Sequence, residues 1–206
     1  PKLITSIGMF YDLENPSKFV ADVAKVLDDD GIFIAQLMCL KAMLNKKDLG
    51  NICHEHLEYY SYYSLKYLFE KNGLKIFKME ENDINGGSYR IFCKKKIARS
   101  INHNEKTNLY EIKKFIRRIE LNKKKCLNFI TDANKKKLKI FIYGASTKGN
   151  TLLQHYGINH KLIQFAADRN PDKWGKYTIG TGVKIISEEK ARNLNPDYFF
   201  VMPYAF

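Results

Sequence analysis

Lys139-Ile140-Phe141-Ile142-Tyr143-Gly144-Ala145-Ser146-Thr147-Lys148-Gly149-Asn150 is the stretch that decides the fold. Ile140 to Tyr143 is an unbroken apolar run, the pattern of a strand buried in a parallel sheet. It runs straight into a Gly-containing turn. Leu152, Leu153 and Tyr156 then recur at helical spacing, and a second strand is predicted over Leu162 to Ala167, ending on Asp168. Strand, glycine turn, helix, strand and acidic tip make a βαβ unit of the kind found in Rossmann-like nucleotide-binding lobes. The fingerprint is incomplete, because Ser146 stands where GxGxxG has its second glycine, and Lys148 precedes a glycine where a Walker motif has lysine after one. Gly144, Ser146, Thr147, Lys148 and Asn150 are candidate ligand residues, since backbone N–H groups at a helix N-terminus suit phosphate oxygens and Lys148 adds charge. The plainer reading is a solvent-facing turn in which glycine serves geometry alone. After Asp168, glycines 175, 180 and 182 mark turns, followed by a strand at 183–186, a helix from Ser187, and a strand at 198–202 before the chain reaches Phe206.

Upstream, the order is again strand, helix, strand. Leu3 to Ile7 reads as a strand, and Asn15-Pro16 as a helix cap followed by the proline favoured at the first helical position. Phe19, Val20, Val23, Val26 and Leu27 share one helical face, Asp28 to Gly31 stops it, and Ile32 to Leu37 reads as a central strand. Met38 to Leu49 is a mixed loop or short helix. Ser64 is expected to cap a helix that ends at Asn72-Gly73. Leu74 to Met79 and Ser88 to Phe92 read as strands that pair antiparallel across a polar connection and Gly86-Gly87. Residues 104–137 carry an apolar stripe with basic residues opposite, the mark of one long helix. The fold class is α/β.

Between these elements lies Asn51-Ile52-Cys53-His54-Glu55-His56-Leu57-Glu58-Tyr59-Tyr60, with two imidazoles and two carboxylates within five positions. Burying one unpaired charge costs several kcal/mol on the order of, so such a stretch sits in a cleft, is paired, or lies in the open. A cleft is the reading adopted. A metal held by His54 and His56, as alternate residues on one strand face, is the less favoured alternative, because H-x-H lacks the i, i+4 geometry of HExxH.

The 206 residues suffice for one large or two small domains. Lys and Arg exceed Asp and Glu by 13, with much of the excess in lysine runs at 94–96, 123–125 and 135–137. A solvated helical face explains these better than a nucleic-acid patch. Cys39, Cys53, Cys93 and Cys126 show no CxxC spacing, so neither a zinc knuckle nor a disulfide framework is indicated. With no signal-like run and no bilayer-length apolar stretch, a cytoplasmic location is expected, with no membrane partner.

Taken together, Met9-Phe10-Tyr11-Asp12-Leu13, Cys53 to Ser61, Asn85-Gly86-Gly87-Ser88, Tyr143 to Asn150 and Asp168-Arg169-Asn170-Pro171 resemble the S-adenosylmethionine-dependent sugar C-methyltransferases that act on nucleotide-linked 4-keto-deoxysugars. The resemblance implies the back half of a class I methyltransferase sheet with its antiparallel last hairpin over 1–100, a helical connector over 101–137, and a Rossmann-like lobe over 138–206. It also implies an internal fragment, without the zinc module and the Gly-rich turn that holds S-adenosylmethionine, expected to be inactive alone. The Leu3 strand would then show an unpaired edge and promote self-association. By the same resemblance His56 is the base that removes a proton beside the ketone, with Glu55 orienting a group or contacting the sugar, His54 either supporting or simply packing, and Asp12 a weaker candidate. Gly86, Gly87, Ser88 and Arg90 join the second lobe's turn and Asp168 as substrate-binding candidates, although Arg90 equally suits a surface ion pair. The rival functions are a non-catalytic nucleotide-sugar binding lobe and, on charge alone, a nucleic-acid binder.

Overall fold

A computed structural model describes residues 1–97 and 99–202; Ala98 and the run to Phe206 lie outside the described residues. The chain divides into two compact units. The first comprises residues 1–48 and 54–115, and the second residues 49–53 and 116–206.

In the first unit, β1 (Leu3–Ile7), β2 (Ile32–Met38), β3 (Lys75–Asn82) and β4 (Ser88–Lys94) form one sheet of order β1-β2-β4-β3. β1 and β2 run parallel, and β4 pairs antiparallel with both β2 and β3, so the expected hairpin is present. Helices α1 (Pro16–Val26), α2 (Leu40–Lys46) and α3 (Tyr62–Lys71) complete it. Asn15 caps α1 as expected, its Oδ1 accepting Lys18 N–H at 2.9 Å. α3 begins earlier than expected. Ser61 is its cap and Ser64 sits three positions on, closing a reciprocal capping box, because the first turn can use both hydroxyls. Phe10, Phe33, Leu65 and Phe69 are fully buried, with the Phe10 and Phe69 rings stacked at 5.6 Å. The edge strand β1 exposes Leu3 and Ile7.

Glu105 ties the segment after β4 back to this core. It is buried, and its Oε2 accepts the backbone N–H of Tyr62 and the hydroxyl of Tyr89, each at 2.7 Å. The long helix is α4 (Leu109–Lys135), which contains the apolar stripe and is shorter than the expected 104–137. Asn108 starts it by accepting Glu111 N–H at 3.1 Å, and Lys137, with φ of 58°, lies beyond its end.

The second unit holds β5 (Ile140–Tyr143), α5 (Thr147–Tyr156), β6 (Phe165–Asp168), β7 (Lys184–Ser187), α6 (Glu188–Asn193) and β8 (Tyr198–Val201). Its sheet is wholly parallel, in the order β7-β6-β5-β8. β6 starts at Phe165, later than expected, because Leu162 and Ile163 both donate to Asn159 O and so lie in a turn. Ile142, Ala166 and Ala191 have no solvent exposure. No helix among the described residues is long and apolar enough to cross a membrane.

Candidate functional site

His54 and Glu55 form a turn, and residues 56–61 run on without regular structure. The strand-face premise of the H-x-H metal reading is therefore overturned, since alternate residues of a turn share no face. Among the described residues, no three His, Cys, Asp or Glu side chains are grouped so as to hold a metal ion. Tyr11 is the support of the stretch. Its carbonyl accepts the N–H groups of Leu57 and Glu58 at 2.9 and 3.1 Å, and its ring meets His56 edge-on at 4.7 Å. Tyr11 is fixed because it follows Phe10 in a single 3₁₀ turn, Phe10–Asp12, whose two aromatics are buried.

Asp12 closes that turn. Burial raises its carboxyl above 3.8, the charge of His56 opposes the rise, and the charge of Glu55 adds to it. Asp12, Glu55 and half-buried His56 are thus electrostatic neighbours, while His54 is exposed at the head of the turn. Tyr60, just beyond, has a buried hydroxyl with no hydrogen-bond partner among the described residues, and burial, then the charge of Glu58, pushes its phenol well up.

Gly86 and Gly87 have φ of 90° and 131°, which favours glycine. A Cβ on Gly87 would stand 2.3 Å from the Cβ of Ala42, so the close approach of α2 demands glycine as well. Ser88 is buried and donates its hydroxyl to Ile84 O at 2.8 Å. Arg90 donates to Gln36 Oε1 at 3.0 and 2.8 Å and lies 3.6 Å from Glu80. These three are cross-strand partners in register, the ion-pair arrangement that competed with ligand binding in the sequence. Gly87 and Ser88 line a cavity of about 310 Å³ with Cys39, Lys41, Glu81 and Asn82.

In the second unit the glycine turn is braced from within. Asp168 Oδ2 accepts Ala145 N–H at 2.9 Å and Lys173 Nζ at 3.2 Å, and its Oδ1 accepts Asn170 N–H at 2.9 Å. Burial alone would raise this carboxyl, but the two backbone N–H groups and then Lys173 outweigh it and hold it below 3.8. Gly144, at φ of 87°, donates its N–H to Ala167 O at 2.7 Å. Ser146 caps α5 by accepting Gly149 N–H at 3.0 Å. Thr147 is exposed, Lys148 half-buried, and Asn150 Oδ1 is buried without a hydrogen-bond partner among the described residues.

Beside this turn lies a cavity of about 400 Å³, lined by Tyr143, Gly144, Ala145, Asp168, Arg169 and Glu188 among others. It opens at the carboxyl ends of β5 and β6, where open parallel sheets bind ligands. Arg169 and then Arg192 hold the Glu188 carboxyl at about 2, and Tyr143 donates to it at 3.0 Å. Tyr143 and Arg169 flank motifs legible in the sequence; nothing local singled out Glu188.

Residues 83–206 match the family model described as C-methyltransferase C-terminal domain. The C-methyltransferase NovU of Streptomyces niveus is 28% identical over 220 residues, which cover 100% of this chain and 52% of that protein. The chain thus spans about half the length of this curated relative. Among solved structures, the PH0226 protein of Pyrococcus horikoshii is 17% identical over 46% of this chain and 51% of its own, with a TM-score of 0.34. LepI in complex with SAM is 10% identical over 46% and 26%, with a TM-score of 0.38. Likenesses this low carry no argument, and the fold rests on the sheets themselves.

Proposed function

Because the chain belongs to the C-methyltransferase C-terminal domain family, we propose that it serves S-adenosylmethionine-dependent methylation of a carbon next to the ketone of a nucleotide-linked deoxysugar. His56 removes the proton from that carbon. The observation that carries this assignment is the buried Tyr11 support, whose carbonyl holds Leu57 and Glu58, whose ring meets His56 at 4.7 Å, and which Asp12 follows in the chain. A neutral imidazole accepts a proton near neutral pH, and the Asp12 carboxylate counters the charge it gains. Glu55 orients the ring or the sugar, and His54 supports the turn from its exposed position.

The nucleotide part is assigned to the second unit, with Lys148 and the first turn of α5 facing the phosphates and the cavity lined by Tyr143 and Arg169 taking the base or ribose. Asp168 holds the turn in shape through Ala145. S-adenosylmethionine supplies the electrophilic methyl group. At the turn after β1, Gly8 donates its N–H to Gln36 O and Phe10 and Tyr11 are buried; this chain's residues are assigned the proton step and the nucleotide contacts.

The test needs no methyl donor. A nucleotide-linked 4-keto-deoxysugar incubated with the chain in D₂O should take up deuterium beside the ketone, as followed by NMR. His56→Ala should slow this about 10²- to 10⁴-fold, and unchanged wash-in would remove His56 from the role. Nucleotide-sugar binding without any wash-in in the wild type would favour the non-catalytic lobe. The exposed edge of β1 is proposed as a self-association surface; a monomer in light scattering at high concentration would contradict it.

A further inference from the structure

The short 3₁₀ turn Leu49–Asn51 is the part of the His-Glu-His approach that groups with the second unit. All three residues are buried, and they pack on α5. A Cβ placed on Gly50 would stand 2.8 Å from Lys148 Cβ, 3.1 Å from Lys148 O and 3.3 Å from its Cα. Two of these are backbone atoms, so no rotamer change of Lys148 would make room. On its next residue the same helical turn is closed by Met202, whose Cβ lies 3.1 Å from where a Cβ on Gly149 would be. The first turn of α5 is therefore closely approached twice, by the Leu49–Asn51 turn at the backbone of Lys148 and by the Met202 side chain at Gly149.

We infer that Gly50 is a positioning residue for the ligand turn of the second unit. By admitting Leu49–Asn51 flush against Lys148, it sets where that lysine and the first N–H groups of α5 meet an anionic ligand. The inference rests on the nucleotide assignment above. Gly50 touches no ligand itself and acts through the backbone of α5. A β-carbon at position 50 pushes Leu49–Asn51 and Lys148 apart, displacing the phosphate contacts while leaving the cavity lined by Tyr143, Ala167 and Arg169 in place.

The diphosphates of uridine, thymidine, adenosine and guanosine, each beside its parent nucleoside, are titrated calorimetrically into the full chain and into Gly50→Ala. The wild type should bind at least one diphosphate more tightly than its nucleoside. Gly50→Ala should weaken that diphosphate about tenfold or more and leave the nucleoside unchanged. Equal loss for both ligands, or no loss, overturns the positioning role while the nucleotide assignment stands. A wild type that binds no diphosphate overturns the assignment and the inference together. Should Gly50→Ala fail to fold, hydrogen exchange on the wild type decides: the best-binding diphosphate should protect 49–51 together with 147–150, and protection of 147–150 alone overturns the inference.

Discussion

The turn at His54 to His56 and the turn at Gly144 to Gly149 are both rich in polar groups, yet they differ in where those groups point. In the second, Asp168 accepts Ala145 N–H, Ser146 accepts Gly149 N–H, and Gly144 donates to Ala167 O, so side chain and backbone close on each other. In the first, His54 and Glu55 stand exposed, and the titratable groups act on one another: Asp12 responds to both His56 and Glu55. A carboxylate that receives backbone N–H groups builds a shape, whereas Asp12 is tuned by titratable neighbours. The roles proposed for the two units rest on that contrast.

The largest expected effect on stability tests whether a third acid, Glu105, belongs with the shape-building group. Glu105→Ala leaves the buried Tyr89 hydroxyl and Tyr62 N–H without their acceptor. It should cost about 3 kcal/mol, at 1–3 kcal/mol for each buried group left unsatisfied. The urea midpoint reads this directly, and a shift under about 0.5 kcal/mol would show that the interaction is replaced.

Asp168→Ala is the milder version in the second unit and should cost about 1–2 kcal/mol at pH 7. Its pH dependence has a definite sign. Because the folded pKa lies below 3.8, the stabilisation is present above about pH 4 and fades as pH falls through the folded value. Wild type and Asp168→Ala should thus converge in acid, and a constant difference down to low pH would contradict the bracing role.

Much of this was legible because periodicity carried it. The unbroken run Ile140–Tyr143 and the capped helix from Pro16 stand where their patterns put them. Boundaries slipped where local hydrogen bonding decided, as at Ser61, which caps α3 in a reciprocal box with Ser64, and at Asn159, whose carbonyl draws Leu162 and Ile163 into a turn. Glu105 was invisible, since nothing around it suggests that its partners lie 43 and 16 residues away. Gly50 was equally hidden, because a glycine needed for close approach looks like any other until the opposing helix is placed. Arg90 was an even choice in sequence, and the structure shows it engaged by Gln36 and Glu80.

Deuterium wash-in beside the ketone, measured across substrate concentration for His56→Gln and Asp168→Asn, probes the division of labour most directly. His56→Gln should lose its maximal rate by about 10²-fold or more with half-saturation unchanged, and Asp168→Asn should raise half-saturation with the maximal rate kept. The reverse pattern, with rate lost at Asp168 and affinity lost at His56, would contradict the account.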